Sequence, residues 1–401
     1  MPNLRFPEFE GEWDRYKVSD LLDFYSTNSL SWEQLEYDTN QMFNLHYGLI
    51  HVGLPTSLNL NKGKLPNIKK EFLPKKYELC KEGDIAFADA SEDTNDVAKA
   101  IEFTAIGNKQ VVCGLHTIHG RDNHNITIVG FKGYAFSSPT FHNQIKRIAQ
   151  GTKIYSISSK NFSECFIGIP SKEEQSKISR LFTLIDERIA TQNRIIEKYE
   201  SLIKGITQKV YKHPSAKKVL LKELLSERKE KNKNLFPVYS VSVSEGVVNQ
   251  IEYLGRSFSA SDTSNYNVAH WGDVIYTKSP TGEFPFGIIK RSDIETEVAV
   301  SPLYGVYKPV SVNVAIYMHY YFYSPINAKN YLHKLIQKGA KNTINITNQR
   351  FLENYIPVPN EEILSTFVKL IGNIAFKLKI EQSILDKLQK QKKYLLSSMF
   401  I

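Results

Sequence analysis

Cysteine is scarce in this chain. Cys80, Cys113 and Cys165 are its only three, far apart and odd in number, which argues against a secreted disulfide framework. No stretch reaches the roughly 18 uninterrupted apolar residues that a membrane helix needs. The opening "MPNLRFPEFEGEW" lacks the basic-then-apolar order of a secretory signal, so the expectation is a cytoplasmic protein with no membrane partner. Catalytic signatures are missing too. Gly63-Lys64 has neither the glycine spacing nor the following Ser or Thr of a phosphate loop, and no glycine-rich dinucleotide turn follows a strand. Ser138-Pro139-Thr140-Phe141 does not match the Asn/Asp-Pro-Pro-aromatic tetrapeptide with which amino-methyltransferases hold a target base. The chain offers no convincing catalytic set, and no cofactor of its own is expected.

What is present is ordinary globular composition, 41% hydrophobic and 23% charged, enough for more than one core in 401 residues. Tyr and Phe number 22 each, which favours half-exposed sheets and binding surfaces as well as cores. The 51 Lys and Arg exceed the 42 Asp and Glu by nine, a mild pointer to a polyanionic partner. Cys113, His116, His119 and His124 have spacings that could ligate zinc. Strand-like alternation from Cys113 to Ile118 sets some of these side chains on opposite faces, and the second half has no counterpart, so no metal site is expected. Glu92, Asp93, Asp96 and Lys99 read as a solvated loop.

The chain repeats itself. Gly83-Asp84 in "KEGDIAF" recurs as Gly272-Asp273 in "HWGDVIY", Pro170 recurs as Pro359, and Phe162 with Glu164 recurs as Phe351 with Glu353, all at an offset of 189. A unit that long is a domain plus an appended element. Each half begins with short apolar runs broken by turn residues: Val111 to Ile118 and Asn125 to Phe131 in the first, Pro237 to Val243, Asp273 to Thr277 and the aromatic run Val314 to Ser324 in the second. That pattern suits a sheet with a few helices.

Each half ends in a long helix. Ser171 with Glu174 forms a capping box, and apolar residues follow at Ile178, Leu181, Ile185, Ile189, Ile196, Tyr199, Ile203, Ile206 and Val210 until His213-Pro214. The second copy has Asn360 as its cap and a stripe at Phe367, Leu370, Ile374, Leu378, Leu385, Leu388, Leu395 and Met399. At ~1.5 Å per residue such helices are about 55 Å long, more apolar stripe than a small globule covers, so the two are expected to pair. Chain order then makes the pair antiparallel, with a globule at each end, an approximate two-fold axis, and the C-terminus returning to the first globule.

Polar and basic turns are the candidates for DNA contact. They are Lys278, Ser279 and Thr281 in "TKSPTGE"; Lys338, Lys341, Asn342 and Thr343 in "QKGAKNTINIT"; and Lys146, Arg147 and Lys153 around "RIAQGTKIYSIS", with Arg121. Gly151 and Gly339 permit close backbone approach.

With these features in place, the chain resembles the specificity subunit of bacterial type I restriction–modification systems. The resemblance rests on Leu4, Arg5, Phe6, Pro7, Phe9, Gly11 and Trp13 of the opening, the two Gly-Asp strands, the Gly151 and Gly339 turns, "GLHTI" at Gly114 to Ile118, and Ile169-Pro170-Glu173-Glu174-Gln175 at the helix entry. The second helix departs from this pattern, with Ile363-Leu364 where Glu174-Gln175 stand in the first. The resemblance implies an α+β fold with two mixed α/β target-recognition domains, residues 1–170 and 214–359, at opposite ends of a long antiparallel two-helix coiled coil, residues 171–213 and 360–401. It also implies a non-catalytic role: each domain reads half of a gapped, asymmetric site on double-stranded DNA. The helices recruit two methyltransferase subunits that bind S-adenosylmethionine and methylate adenine N6, and restriction subunits using ATP and Mg join for cleavage. The alternative is a stand-alone DNA-binding scaffold or regulator without methyltransferase partners.

Overall fold

A computed structural model describes residues 1–39, 41–256, 259–338 and 344–401. The chain forms two compact units: Met1–Asn193 with Ser383–Ile401, and Arg194–Gln382. Each contains a mixed α/β body and part of both long helices, α1 (Lys172–Tyr211) and α2 (Glu361–Ser398).

In the first unit a five-stranded sheet has the order Asp23–Tyr25, Thr117–Arg121, Ile85–Ala88, Ala100–Ala105, Ser57–Asn59. A four-stranded sheet has the order Val111–Cys113, Phe43–Leu45, Asn67–Ile68, Leu35–Glu36. The strand Ile85–Ala88 is buried on both faces, which is why "IAFA" reads as an unbroken apolar run. Ile85 and Phe87 join a core with Trp13, Phe136, Phe141, Phe162 and Phe182, while Ala86 and Ala88 face a second core with Leu45, Ile101, Phe103, Cys80 and Cys113. Phe400 packs against Trp13, Phe131 and Phe182 at ring separations of 6.2, 5.9 and 5.8 Å. The C-terminus thus returns to the first unit, as chain order requires.

The second unit has two four-stranded sheets, Leu225–Glu227, Gly305–Pro309, Val274–Tyr276, Ile289–Arg291 and Gly246–Asn249, Val238–Ser242, Val298–Val300, Asn267–Ala269. Tyrosine is core material here. Tyr276 and Tyr307 both stack on Phe351 at 4.7 Å. Their buried hydroxyls donate to the backbone carbonyls of Phe286 at 2.8 Å and Asn348 at 3.2 Å, which satisfies the polar tip of a large apolar side chain.

The repeat is structural. Asp14–Lys17 pairs antiparallel with Phe166–Ile169, and Lys217–Leu220 pairs the same way with Tyr355–Val358, so the first and last strands of each body close it just before the long helix. Ser158 caps the short helix carrying Phe162, and Thr347, 189 residues on, caps the one carrying Phe351.

Two runs depart from the sheet expected of them. Val314 to Ser324 lies mostly in a helix, Val312–Phe322, capped by Ser311 and burying Val314, Ala315, Tyr317, Met318, Tyr321 and Phe322. Spacings of three and four outweigh the strand preference of aromatic residues there. Asn125 to Phe131 forms no strand. The Asp122 carboxylate accepts from the amides of His124, Ile126 and Thr127, and Gln175 accepts from Ile128 and donates to the Ile126 carbonyl, so side chains take up the backbone groups a ladder would use.

The long helices pack on each other, antiparallel. In the first unit Ile178, Leu181 and Phe182 share a core with Leu395, Leu396 and Met399, and Lys392 Nζ meets Asp186 at 2.5 Å. In the second, Tyr199, Ile203, Ile206 and Val210 share a core with Leu364, Phe367, Ile371, Ile374 and Leu378. The covered positions alternate by three and four: 178, 182, 185, 189, 192, 196, 199, 203, 206 and 210 on α1, and 364, 367, 371, 374, 378, 381, 385, 388, 392, 395 and 399 on α2. That is a heptad seam. It corrects one pair of expected positions. Leu370 is 44% exposed while Ile371 is fully buried, and Phe182 rather than Leu181 holds the matching place on α1. One residue is about 100° around a helix; the body of the first unit covers Leu181, but Leu370 has no such cover.

Entry to α1 is fixed by the opening segment. Ser171 Oγ accepts from the Glu174 amide at 3.3 Å, but the Glu174 carboxylate turns to Arg5, which donates to it at 2.8 and 2.7 Å. The capping box is therefore only half made. Leu364, standing where Gln175 stands in the first copy, is 2% exposed in the core of the second unit.

Ile371→Ala should lower the unfolding free energy by about 2–5 kcal/mol, the usual cost of emptying a packed aliphatic site, whereas Leu370→Ala should change it by about 0.5 kcal/mol or less. Urea denaturation followed by circular dichroism measures both.

Candidate nucleic-acid interface

In the first unit three loop segments are stitched into one surface. Gly151 has φ of +135°, and a Cβ there would run into the Ile154 carbonyl. This glycine closes a tight hairpin, bridged at Gln150 and Ser156. Tyr155-Ser156 pairs with Ala90-Ser91, and the Asp89 amide donates to the His116 carbonyl at 3.1 Å. His116 takes a left-handed backbone, φ +55°. That bend splits Val111 to Ile118 into two strands, Val111–Cys113 and Thr117–Arg121, and turns an imidazole 49% exposed towards Asp89, 3.2 Å away. Burial pushes the Asp89 carboxyl up, partly offset by His116. Asp89, His116, Gln150, Ser156, Ser158 and Asn161 line a groove of about 470 Å³. Such a mixed set of donors and acceptors is what base edges require. Lys146 and Arg147, in the last turn of the helix Pro139–Ile148, and Lys153 in the hairpin are exposed and suited to phosphate.

Arg121 is a correction. It is 7% exposed and donates to both Asp84 oxygens at 2.8 Å, to Glu78 at 2.7 Å and to the Leu79 carbonyl at 2.8 Å, so it holds the fold and offers nothing to DNA. Its partner belongs to the repeated Gly-Asp motif. Burial pushes the Asp84 carboxyl up, but Arg121, His119 and the Lys81 amide outweigh it and hold it below the usual range. In the second unit Asp273 receives the same fork from Arg228, at 2.6 and 3.0 Å. Arg121 follows its Asp in the chain and Arg228 precedes it. Gly83 and Gly272 have φ of +86° and +84°, and each Asp accepts from the amide three residues earlier, Lys81 at 2.8 Å and His270 at 2.9 Å. The repeated dipeptide is thus a turn plus a buried ion pair.

In the second unit Lys278 has φ of +64° in the turn after Val274–Tyr276. Burial lowers its pKa, with Glu227 opposing. Glu227 also accepts from Asn348 at 2.7 Å and Gln349 at 2.9 Å. Ser279 and Thr281 are exposed beside it. Lys338 is in the strand Gln337–Lys338, paired with Ile344–Asn345; Lys341, Asn342, Thr343 and Gly339 lie outside the described residues. The sequence reading weighed His116 only as a metal ligand and did not single out Gln150 or Asn161. The signal for His116 was Gly114, a turn residue inside a strand-like run.

Arg121→Ala strands two buried or half-buried carboxylates and should cost about 3–5 kcal/mol of stability. Lys146→Ala and Arg147→Ala should each stay within about 0.5 kcal/mol. Thermal melts of the three variants separate the structural arginine from the surface cations.

No described helix is long and apolar enough to cross a membrane. Residues 100–201 match the family model described as type I restriction modification DNA specificity domain. A comparison with curated proteins finds no match. Among solved structures, the chain is similar to the type I restriction–modification S subunit from M. genitalium, with a TM-score of 0.58 at 14% identity over 100% of this chain and 99% of that one. It is also similar to a chain from a structure addressing complex assembly and conformational transition of the type I R–M system, with a TM-score of 0.54 at 13% identity over 97% of each. The match to that specificity-domain model thus takes in the Gly151 hairpin and the entry to α1, and the whole chain has the fold of these S subunits.

Proposed function

We propose that this chain is the non-catalytic DNA specificity subunit of a type I restriction–modification complex. Each body reads one half of a gapped, asymmetric double-stranded site, and α1 and α2 carry two methyltransferase subunits that supply S-adenosylmethionine and methylate adenine N6. Restriction subunits with ATP and Mg join for cleavage. The observation that carries this reading is the duplication. Two bodies of the same closing strands and the same Gly-Asp turn differ in the side chains of their loops and are joined through one continuous helix. Equal scaffolds with unequal loops are what an asymmetric two-part target demands.

The bodies divide the work as DNA readers do. Exposed lysines and arginines around the Gly151 hairpin supply the sequence-independent, salt-sensitive attraction. His116, Gln150 and Asn161 supply directional donors and acceptors. The two bodies read different half-sites because the turn before the strand paired with the Gly-Asp strand is Gly114-Leu115-His116 in the first and Pro302-Leu303-Tyr304 in the second, which also places Lys278, Ser279 and Thr281 on its own loop.

Exchange of residues 212–359 for the corresponding segment of another specificity subunit tests this directly. With the cognate methyltransferase co-expressed, long-read mapping of adenine methylation should show one half-site replaced and the other retained. Replacement of both, or of neither, contradicts the reading. Failure of the chain to co-purify with the methyltransferase subunit favours a stand-alone DNA-binding regulator.

A further inference from the structure

Cys80, Cys113 and His119 come from three places in the first unit. Cys80 lies on the segment before the Gly83-Asp84 turn, Cys113 ends a strand of the four-stranded sheet, and His119 is on the five-stranded sheet. All three are buried, and their sulfur atoms and one His119 ring nitrogen lie within 4.8 Å of one another. The two Sγ atoms are 3.6 Å apart. Two thiolates at about 2.3 Å from a tetrahedral zinc stand roughly 3.8 Å apart, against about 2.05 Å in a disulfide.

The histidine supplies a second, independent observation. Its ring is fully buried, and Nε2 faces the Asp84 carboxylate at 2.8 Å. Arg121 and the Lys81 amide hold that carboxylate in place. An ionised carboxylate only accepts, so Nε2 carries a proton, and in the neutral imidazole Nδ1 is the nitrogen that presents a lone pair. Nδ1 is buried and has no hydrogen-bond partner. A carboxylate fixing the far nitrogen of an imidazole is the arrangement that orients a metal-bound histidine. His116 and His124, which shared the sequence run, are exposed and take no part.

We propose that Cys80 Sγ, Cys113 Sγ and His119 Nδ1 form a site for a thiophilic divalent cation, zinc being the one their chemistry fits. Both thiols ionise on binding and release their protons to solvent. The cation ties the two sheets of the first unit together. Cys113 and His119 also bracket Gly114 to Ile118, so it staples the base of the turn that presents His116. The second unit has no cysteine, which makes the device specific to one body.

Cobalt is the probe. The full-length chain, freed of metal under reducing, oxygen-free conditions, is titrated with Co(II). The expected result is intense tetrahedral ligand-field absorption with a thiolate-to-cobalt charge-transfer band, saturating at one equivalent and abolished by one equivalent of Zn(II). Cys165→Ser should keep the spectrum. Cys80→Ser should lose the charge-transfer intensity of one thiolate, and His119→Gln should weaken cobalt affinity by about tenfold or more. Zinc should raise the melting temperature of the unaltered chain and not of Cys80→Ser. Absence of the tetrahedral spectrum from the unaltered chain, or a spectrum unchanged in Cys80→Ser, overturns the proposal, as does a Cys80–Cys113 disulfide that persists in reductant.

Discussion

The heptad seam between α1 and α2 is the constraint on which the rest depends. A stripe on a 40-residue helix is far longer than a single small body can cover, and α1 answers it by passing from one unit into the other, where α2 meets it in the opposite direction. Covered positions on the two helices correspond at the same 189-residue offset as the globular motifs: Phe182 with Ile371, Ile185 with Ile374, Ile189 with Leu378. Three seam positions are polar. Lys392 is paired with Asp186 and lies over the Tyr134 ring at 5.6 Å, while Gln192 and Glu381, at corresponding places, are both engaged. Polar groups at such positions cost stability and fix register, and register is what a chain with two bodies on shared helices must hold.

Within each body the same economy of parts appears with different components. A left-handed glycine turns the chain, the following aspartate is buried, and an arginine fork neutralises it. The first body draws that fork from the strand after the motif and the second from the end of a strand before it. Duplication preserved the electrostatic requirement and not the residue that meets it. The entry to the long helix shows the same logic. Glu174 serves Arg5 of the opening segment and Gln175 bonds the backbone of Ile126 and Ile128, whereas Leu364, in the place of Gln175, fills a core.

The repeat, the two helices and their pairing were legible because periodicity survives divergence: an offset of 189 and spacings of three and four are visible without contacts. The register error at Leu370 arose because a three-four stripe on a long helix has a neighbour one residue away that is also apolar, and only the partner helix chooses between them. The helix at Val312–Phe322 was hidden by aromatic residues whose strand preference gives way to burial at helical spacing, although Ser311 signalled its cap. The site was less legible. Arg121 looked like a free cation because its partner carboxylates, Asp84 and Glu78, lie roughly 40 residues away in sequence. His116 was passed over as a DNA contact because the bend that exposes it is a backbone property, marked in sequence only by Gly114.

The most direct test of the shared-helix arrangement is insertion of one heptad at corresponding seam positions of both α1 and α2, followed by adenine-methylation mapping with the methyltransferase subunit that the proposed function assigns to it. Seven residues add about 10.5 Å, or roughly three base pairs of B-DNA. The expected result is the same two half-sites separated by a gap longer by about that amount. Altered bases within either half-site, or an unchanged gap with methylation retained, would contradict the arrangement.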